Sequence, residues 1–411
     1  MREGALRRLL RVPELRLLFG ASFVSLIGTW SYSVAVTAFV FERTHSYTIV
    51  GIASLARFVP GLLLSAYGGV LAERFERVRV LIFSNLGSMV CQLALTVVAV
   101  VSGPIWLAIA LVALTATTDV VYSPAMAALL PQLVAEDQLA AANALDSLIQ
   151  NLVVALGPAL GALLVITGSP QVAFAINAVS FLVAAVLVAR VKTRSRPTDV
   201  TAEGAAGPLR QMLVGLRAVV SSRPSRVLVA LSVLASLTYG NDTVLFVAIS
   251  HQQLGAGAHG YGYLLAGLGL GGALMAPAID RLAAAPRLAG IIVISMAVYC
   301  LPTAAMVLIH SVGVAFVSEV VRGAGTLVVD VLAFTALQRA VAPELVARVF
   351  GVFFALVLAA IAVGAVITAP MIQSLGLHAT LGVLGFVPTL LGFAAYPALH
   401  RLDNGNAERL A

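Results

Sequence analysis

Apolar residues recur along this chain in twelve long stretches, near residues 16–41, 48–72, 80–102, 104–125, 141–166, 170–190, 227–250, 261–282, 288–309, 312–337, 347–372 and 379–400. They are rich in Leu, Ala, Val and Gly, are bounded by charge or by Gly and Pro, and lack the polar alternation of a barrel strand. A bilayer core offers no water to the backbone, so stretches of about 20 such residues satisfy their own peptide groups as helices. The pattern predicts an all-α membrane protein with twelve transmembrane helices. The first stretch is too long for a secretory core of roughly 7–15 residues and reads as an uncleaved first helix.

Positive charge checks the count independently, because Lys and Arg in short loops stay on the cytoplasmic side. With the amino terminus inside, 22 of the 25 Lys and Arg residues fall in cytoplasmic segments; Arg43 falls outside, and Arg57 and Arg322 lie within helices. A miscounted helix would invert every later loop. The expectation is a multi-pass protein of a bacterial inner (plasma) membrane with both termini cytoplasmic. Composition agrees: 60% of residues are hydrophobic, against the 45–50% of ordinary soluble domains. Cys91 and Cys300 fall inside apolar stretches and read as packing residues. There is no nucleotide-cradling glycine loop and no metal-spaced His and Cys cluster, so neither an enzyme, a metal, a cofactor nor a nucleic-acid partner is expected.

The chain divides into a six-helix bundle over 1–190, a hydrophilic linker over 191–226 containing VKTRSRPTDVTAEGAAGP, and a second six-helix bundle over 227–411. In the linker Leu209, Met212, Leu213, Leu216 and Val220 recur at helical spacing with Arg210 and Arg217 off that stripe, as in a helix on the inner membrane face or a solvated linker helix. Shifting the sequence by 207 residues lays LAERF (71–75) on AIDRL (278–282) and LLPQLVAEDQL (129–139) on ALQRAVAPELV (336–346). Two parallel repeats of six helices follow.

Five charged residues crowd into GGVLAERFERVRV, the cytoplasmic turn between the second and third segments. Gly69, Leu71, Ala72, Arg74, Arg77 and Arg79 resemble the loop signature of the major facilitator superfamily; Glu73 replaces its usual Asp, and Glu76 replaces the glycine that permits a tight turn. Asp280 and Arg281 are a reduced copy in the second half. Gly157, Pro158 and Gly161 are similar to the motif of drug and proton antiporters, although its upstream glycines are absent at Ala144 and Val153. YSPAMAALLPQLVAEDQLAAANALDSL and LQRAVAPELVARVFGV look like the bacterial branch that includes siderophore, macrolide and multidrug efflux carriers. The resemblance implies the two-bundle major facilitator fold. It also implies that the loop charges gate the cytoplasmic side; anchoring the topology is the plainer role for them.

Seven ionisable residues fall inside the predicted helices: Arg57, Asp119, Asp146, Asp242, Glu319, Arg322 and Asp330. Each costs roughly 2.5–3.5 kcal/mol at a helix centre, so such a set must pair or face water. In the superfamily, segments 1, 4, 7 and 10 line a central cavity, and segments 4, 7 and 10 hold five of the seven. At about 100° per residue, Glu319 and Asp330 return to within roughly 20° of one face, with Arg322 about 60° away and able to pair with Glu319. All three are expected to look into one cavity. Asp242, Glu319 and Asp330 are the candidate proton carriers; substrate-cation binding or a structural pair are the alternatives for Asp330. Arg57 is expected to compensate an acid on segment 4, 10 or 11, or to bind an anionic substrate group. Asp119 and Asp146, placed near cytoplasmic ends, read as hydrated. Trp30, Tyr32, Tyr122 and Tyr239 can stack on a ligand or serve packing. The family's acid after the glycine of helix 1 is missing here, where Thr29 and Trp30 follow Gly28.

These features predict a monomeric secondary transporter, a proton-coupled exporter moving small amphiphilic substrates by alternating access. The same fold serves an uptake, siderophore or lipid permease, and a transport-inactive sensor or assembly partner is the reading from another class.

Overall fold

The computed structural model describes Leu9 and residues 11–167, 169–193, 208–283, 285, 287–342 and 345–410. Among them every regular element is helical: α1 (Pro13–Thr44), α2 (Tyr47–Arg74), α3 (Arg77–Val100), α4 (Ile105–Asp119), α5 (Tyr122–Leu133), α6 (Glu136–Thr167), α7 (Pro170–Ala189), α8 (Pro208–Ser221), α9 (Arg223–Ala248), α10 (Gly257–Met275), α11 (Ile279–Ala283), α12 (Leu288–Ala305), α13 (Val312–Ala340), α14 (Val346–Leu375) and α15 (Leu377–Leu410). Eleven spans within these are long and apolar enough to cross a bilayer; for the fifth predicted segment, α6, the described residues supply the shorter apolar piece Leu156–Val165.

Local chemistry sets the ends. Pro13 opens α1 with its φ already helical, and the helix stops at His45, whose left-handed φ of 48° turns its N–H back to the Phe41 carbonyl. The fourth segment differs from its prediction in two ways. It runs as one apolar span from Ile105 to Leu133, and it breaks between Asp119 and Tyr122. Pro124 is the cause, since it has no N–H for the Val120 carbonyl and its ring crowds that turn. Asp119 is the last residue of α4, at the break within this 29-residue span.

The helices group into two units, Met1–His45 with Ala56–Glu203, and Ser46–Leu55 with Gly204–Ala411. The division at 203/204 falls inside the predicted linker, and the first residues of α2 group with the second unit. In the first unit α1 packs on α6 and α7, and α3 on α7; in the second, α9 packs on α14, and α12 on α15. The first and fifth segments of each half thus pair, and so do the third and sixth, the repetition that the 207-residue shift predicts. Cys91 and Cys300 are buried free thiols.

Of the linker, residues 194–207 lie outside the described residues. Before them, the backbone N–H groups of Lys192 and Thr193 each donate to Glu14 Oε1 at 3.0 Å, tying the end of the first unit's chain to the start of α1. After them, α8 buries Val219 against α9 and α14 and leaves Leu213, Leu216 and Val220 exposed.

Candidate functional site

The second unit holds an ion triad away from solvent. Arg322 of α13 and Asp242 of α9 have side chains 1% and 4% exposed, and Glu319, one turn before Arg322, has none. Arg322 Nη2 donates to both Asp242 oxygens at 2.8 and 3.0 Å, Nη1 donates to both Glu319 oxygens at 3.1 and 2.9 Å, and Nε donates to the Tyr299 carbonyl at 3.0 Å. Each of the three guanidinium nitrogens thus has an acceptor. The Tyr299 and Phe246 rings lie 5.2 and 5.4 Å from the Arg322 carbon. Spacing alone predicts the Glu319–Arg322 pair. It does not predict Asp242, 80 residues away, or Tyr299 from the ninth segment, which joins through its carbonyl and through a hydroxyl that donates to Asp242 Oδ2 at 3.4 Å.

Asp330, on the same α13, differs. Its side chain is exposed, with no hydrogen-bond or ion-pair partner among the described residues. Its face is unlike the apolar exposed one: Val314, Val317 and Val321 lie roughly 140–180° around the helix at 100° per residue. The expectation that Glu319, Arg322 and Asp330 share one cavity is corrected here. Glu319 and Asp330 do share a helix face, but α10 covers Glu319. Gly267 comes so near there that a Cβ placed on it would stand 3.0 Å from the Glu319 Cβ. Helical phase fixes a direction, and the neighbouring helix decides whether that direction is solvent.

In the first unit Arg57 of α2 is half-buried beside rings, at 5.5 Å from Trp30, 6.0 Å from Tyr32 and 5.6 Å from Phe58. No carboxylate forms an ion pair with it among the described residues; Asp119 of the fourth segment reaches it only through its field, and aromatic faces make the direct contacts. Asp119 is half-buried and accepts from Ser88 Oγ at 2.8 Å, while Ser88 also bonds Thr118 Oγ1 at 2.6 Å. Asp146 accepts from Gln150 at 2.8 Å. Tyr32 is buried with an edge contact to Phe174, Tyr122 and Trp30 each pack against the first unit's core, and Tyr239 is half-buried on α9.

The antiporter-like residues of α6 form a helix contact. Ser31 Oγ of α1 donates to the Gly157 carbonyl at 3.0 Å; a Cβ on Gly157 would strike that of Trp30, and one on Gly161 the Ser31 carbonyl oxygen. Gly157 and Gly161, four apart with Pro158 between, let two backbones touch without side chains intervening. Gly161→Leu is expected to lower the stability of detergent-solubilised protein by at least the 1–3 kcal/mol typical of overpacking, read as a fall in melting temperature; an unchanged melting curve would contradict this contact.

At the charged turn, Phe75 and Glu76 alone separate α2 from α3. Glu76 sits at φ −60° and ψ 120°, an ordinary extended conformation, so the tight turn forms without the family's glycine. Arg79 Nε lies 2.7 Å from Glu76 Oε2, Arg77 is buried, and Arg74 and Arg281 are exposed. Gly69 lies in α2, and the side chains of Glu73 and Asp280 lie outside the described ones.

A model of the family described as transmembrane secretion effector matches residues 8–409. Over 170 residues the chain is 28% identical to macrolide efflux protein A of Streptococcus pyogenes, covering 41% of this chain and 42% of that relative, so the match spans about two-fifths of the relative's length. It is 28% identical over 283 residues to the enterobactin exporter EntS of Shigella boydii, covering 67% and 65% of the two chains. The crystal structure of the nucleoside transporter NupG superposes with a TM-score of 0.74 over 94% of this chain and 98% of that one, at 10% identity, a likeness of fold alone. With the helical repeat, the charged turn and the family match along nearly its whole length, the chain belongs to the transmembrane secretion effector family of the major facilitator superfamily.

Proposed function

We propose that the protein is a proton-coupled exporter of small amphiphilic compounds, a monomer of a bacterial inner membrane with both termini cytoplasmic, working by alternating access. The observation that carries the reading is Asp330, an unpaired and accessible carboxylate inside a 29-residue apolar span. Such a group facing lipid costs roughly 2.5–3.5 kcal/mol, whereas facing a wet path it can take and release a proton. Among the three candidate carriers Asp330 is the one with an exposed side chain; Asp242 and Glu319 hold Arg322 and act as a fixed hub for α9, α12 and α13. Export as the direction is supported by the functions that the relatives' names give, macrolide efflux and enterobactin export. The charged turn after α2 serves as the cytoplasmic gate.

The test uses everted membrane vesicles with an acidified lumen, followed by a pH-sensitive dye. Macrolides, catecholate and carboxylate siderophores and cationic dyes are added in turn. At least one class is expected to release protons in vesicles that contain the protein and not in empty ones. No release across the panel would favour the sensor or assembly reading, and release only on reversing the gradient would favour an uptake permease.

A further inference from the structure

Arg57 and Arg322 both lie within the interior of apolar spans, and their surroundings are opposite. Arg322 has an acceptor on each guanidinium nitrogen and two carboxylates beside it. Arg57 has three aromatic faces around it, no hydrogen-bond acceptor and no paired acid among the described residues. Its side chain is half-buried rather than enclosed. Aromatic quadrupoles steady a cation without cancelling its charge or filling its in-plane N–H donors. Asp119, which reaches Arg57 only through its field, is already bonded by Ser88. A charge kept inside a span at a cost of roughly 2.5–3.5 kcal/mol, and left with an open donor fork, is poised for a ligand.

We propose that Arg57, flanked by Trp30, Tyr32 and Phe58, forms a subsite in the first unit for the acidic group of an aromatic or amphiphilic anion. The fork matches two oxygens of a carboxylate or similar oxyanion, and the rings offer apolar faces to the carbon skeleton beside it. The inference rests on the transporter reading for its purpose and names the chemical class of substrate.

The sequence supplies a probe, because Trp30 and Trp106 are the chain's two tryptophans and Trp106 is exposed at the start of α4. In a Trp106→Phe background the emission comes from Trp30 alone. Purified protein in lipid nanodiscs, without a gradient, is titrated with the 4-nitrophenylacetate anion and with neutral 4-nitrophenylacetamide, both nitroaryl quenchers. The acid is expected to quench saturably and the amide only weakly. Arg57→Gln should weaken binding of the acid by about tenfold, the scale of a lost charge-assisted pair, and Arg57→Lys should recover part of it. Equal quenching by acid and amide, or an unchanged affinity in Arg57→Gln, would overturn the subsite. If Arg57→Gln does not fold, the acid–amide comparison in the Trp106→Phe protein decides alone. Because no gradient is applied, loss of proton exchange with binding intact would remove the proton-coupling reading and spare the subsite, whereas proton exchange with no preference for the acid would remove only the subsite.

Discussion

Asp330→Asn is expected to abolish gradient-driven export while leaving the protein folded and inserted. The side chain keeps its size and loses its titration. Because Asp330 has no partner among the described residues, no buried group is stranded by the change, and melting should stay within about 0.5 kcal/mol of the parent, as for most accessible substitutions. At 1.5 Å per residue the carboxylate stands roughly 15 Å from the Ala340 end of α13, well inside the span. In everted vesicles, substrate-induced proton release should fall to that of empty membranes. Asp330→Glu, which keeps a titrating group one methylene further out, should retain part of it. Full proton release by Asp330→Asn would sink the assignment of Asp330 as the carrier.

Arg322→Gln should act on stability first. It removes the single cation between two carboxylates that are almost wholly enclosed, together with five donated hydrogen bonds. Breaking a buried pair by deleting one partner costs about 3–5 kcal/mol, because the remaining charge is uncompensated, and here two charges remain. The loss should appear as a lower melting temperature in detergent and a smaller unfolding free energy in a denaturing-detergent titration. Arg322→Lys keeps the charge with three donors in place of a planar fork of five, so an intermediate loss is expected. Adding Asp242→Asn and Glu319→Gln to the Arg322→Gln protein should restore much of the stability, since replacing all charged members avoids the stranded charge. Unfolding of Arg322→Gln at the parent's midpoint would show that the triad contributes little.

Much of the fold was legible as a sequence. Apolar length placed the spans, and recurrence at a 207-residue shift gave the two matching halves, whose segments then pack in the same pairs. Spacing of three on one helix gave Glu319 and Arg322, whose pairing needs no tertiary information. Pro124 was visible as well, yet the fourth stretch read as one helix because its apolar run passes through the break; the missing N–H matters only to the backbone. Glu76 departs from the family's glycine, and the turn forms because an extended φ suffices there. Arg57 shows the converse limit. An arginine in an apolar run signals that something must answer its charge, and the pattern pointed to an acid. The structure sets rings of α1 against it and leaves Asp119 acting only through its field, because a helix pattern gives each side chain a direction without saying which helix stands in it.

The sequence by itself determined the membrane spans, the repeat and the family, since each follows from one-dimensional quantities: hydrophobic length against bilayer thickness, recurrence at a fixed shift, and similarity along the chain. The tertiary structure alone decided that Asp242 and Glu319 share Arg322 while Asp330 stands open on the same helix. Charge inside a membrane is governed by what lies within a few ångströms, and that distance is set by which helices pack together, which no periodicity along a single chain contains.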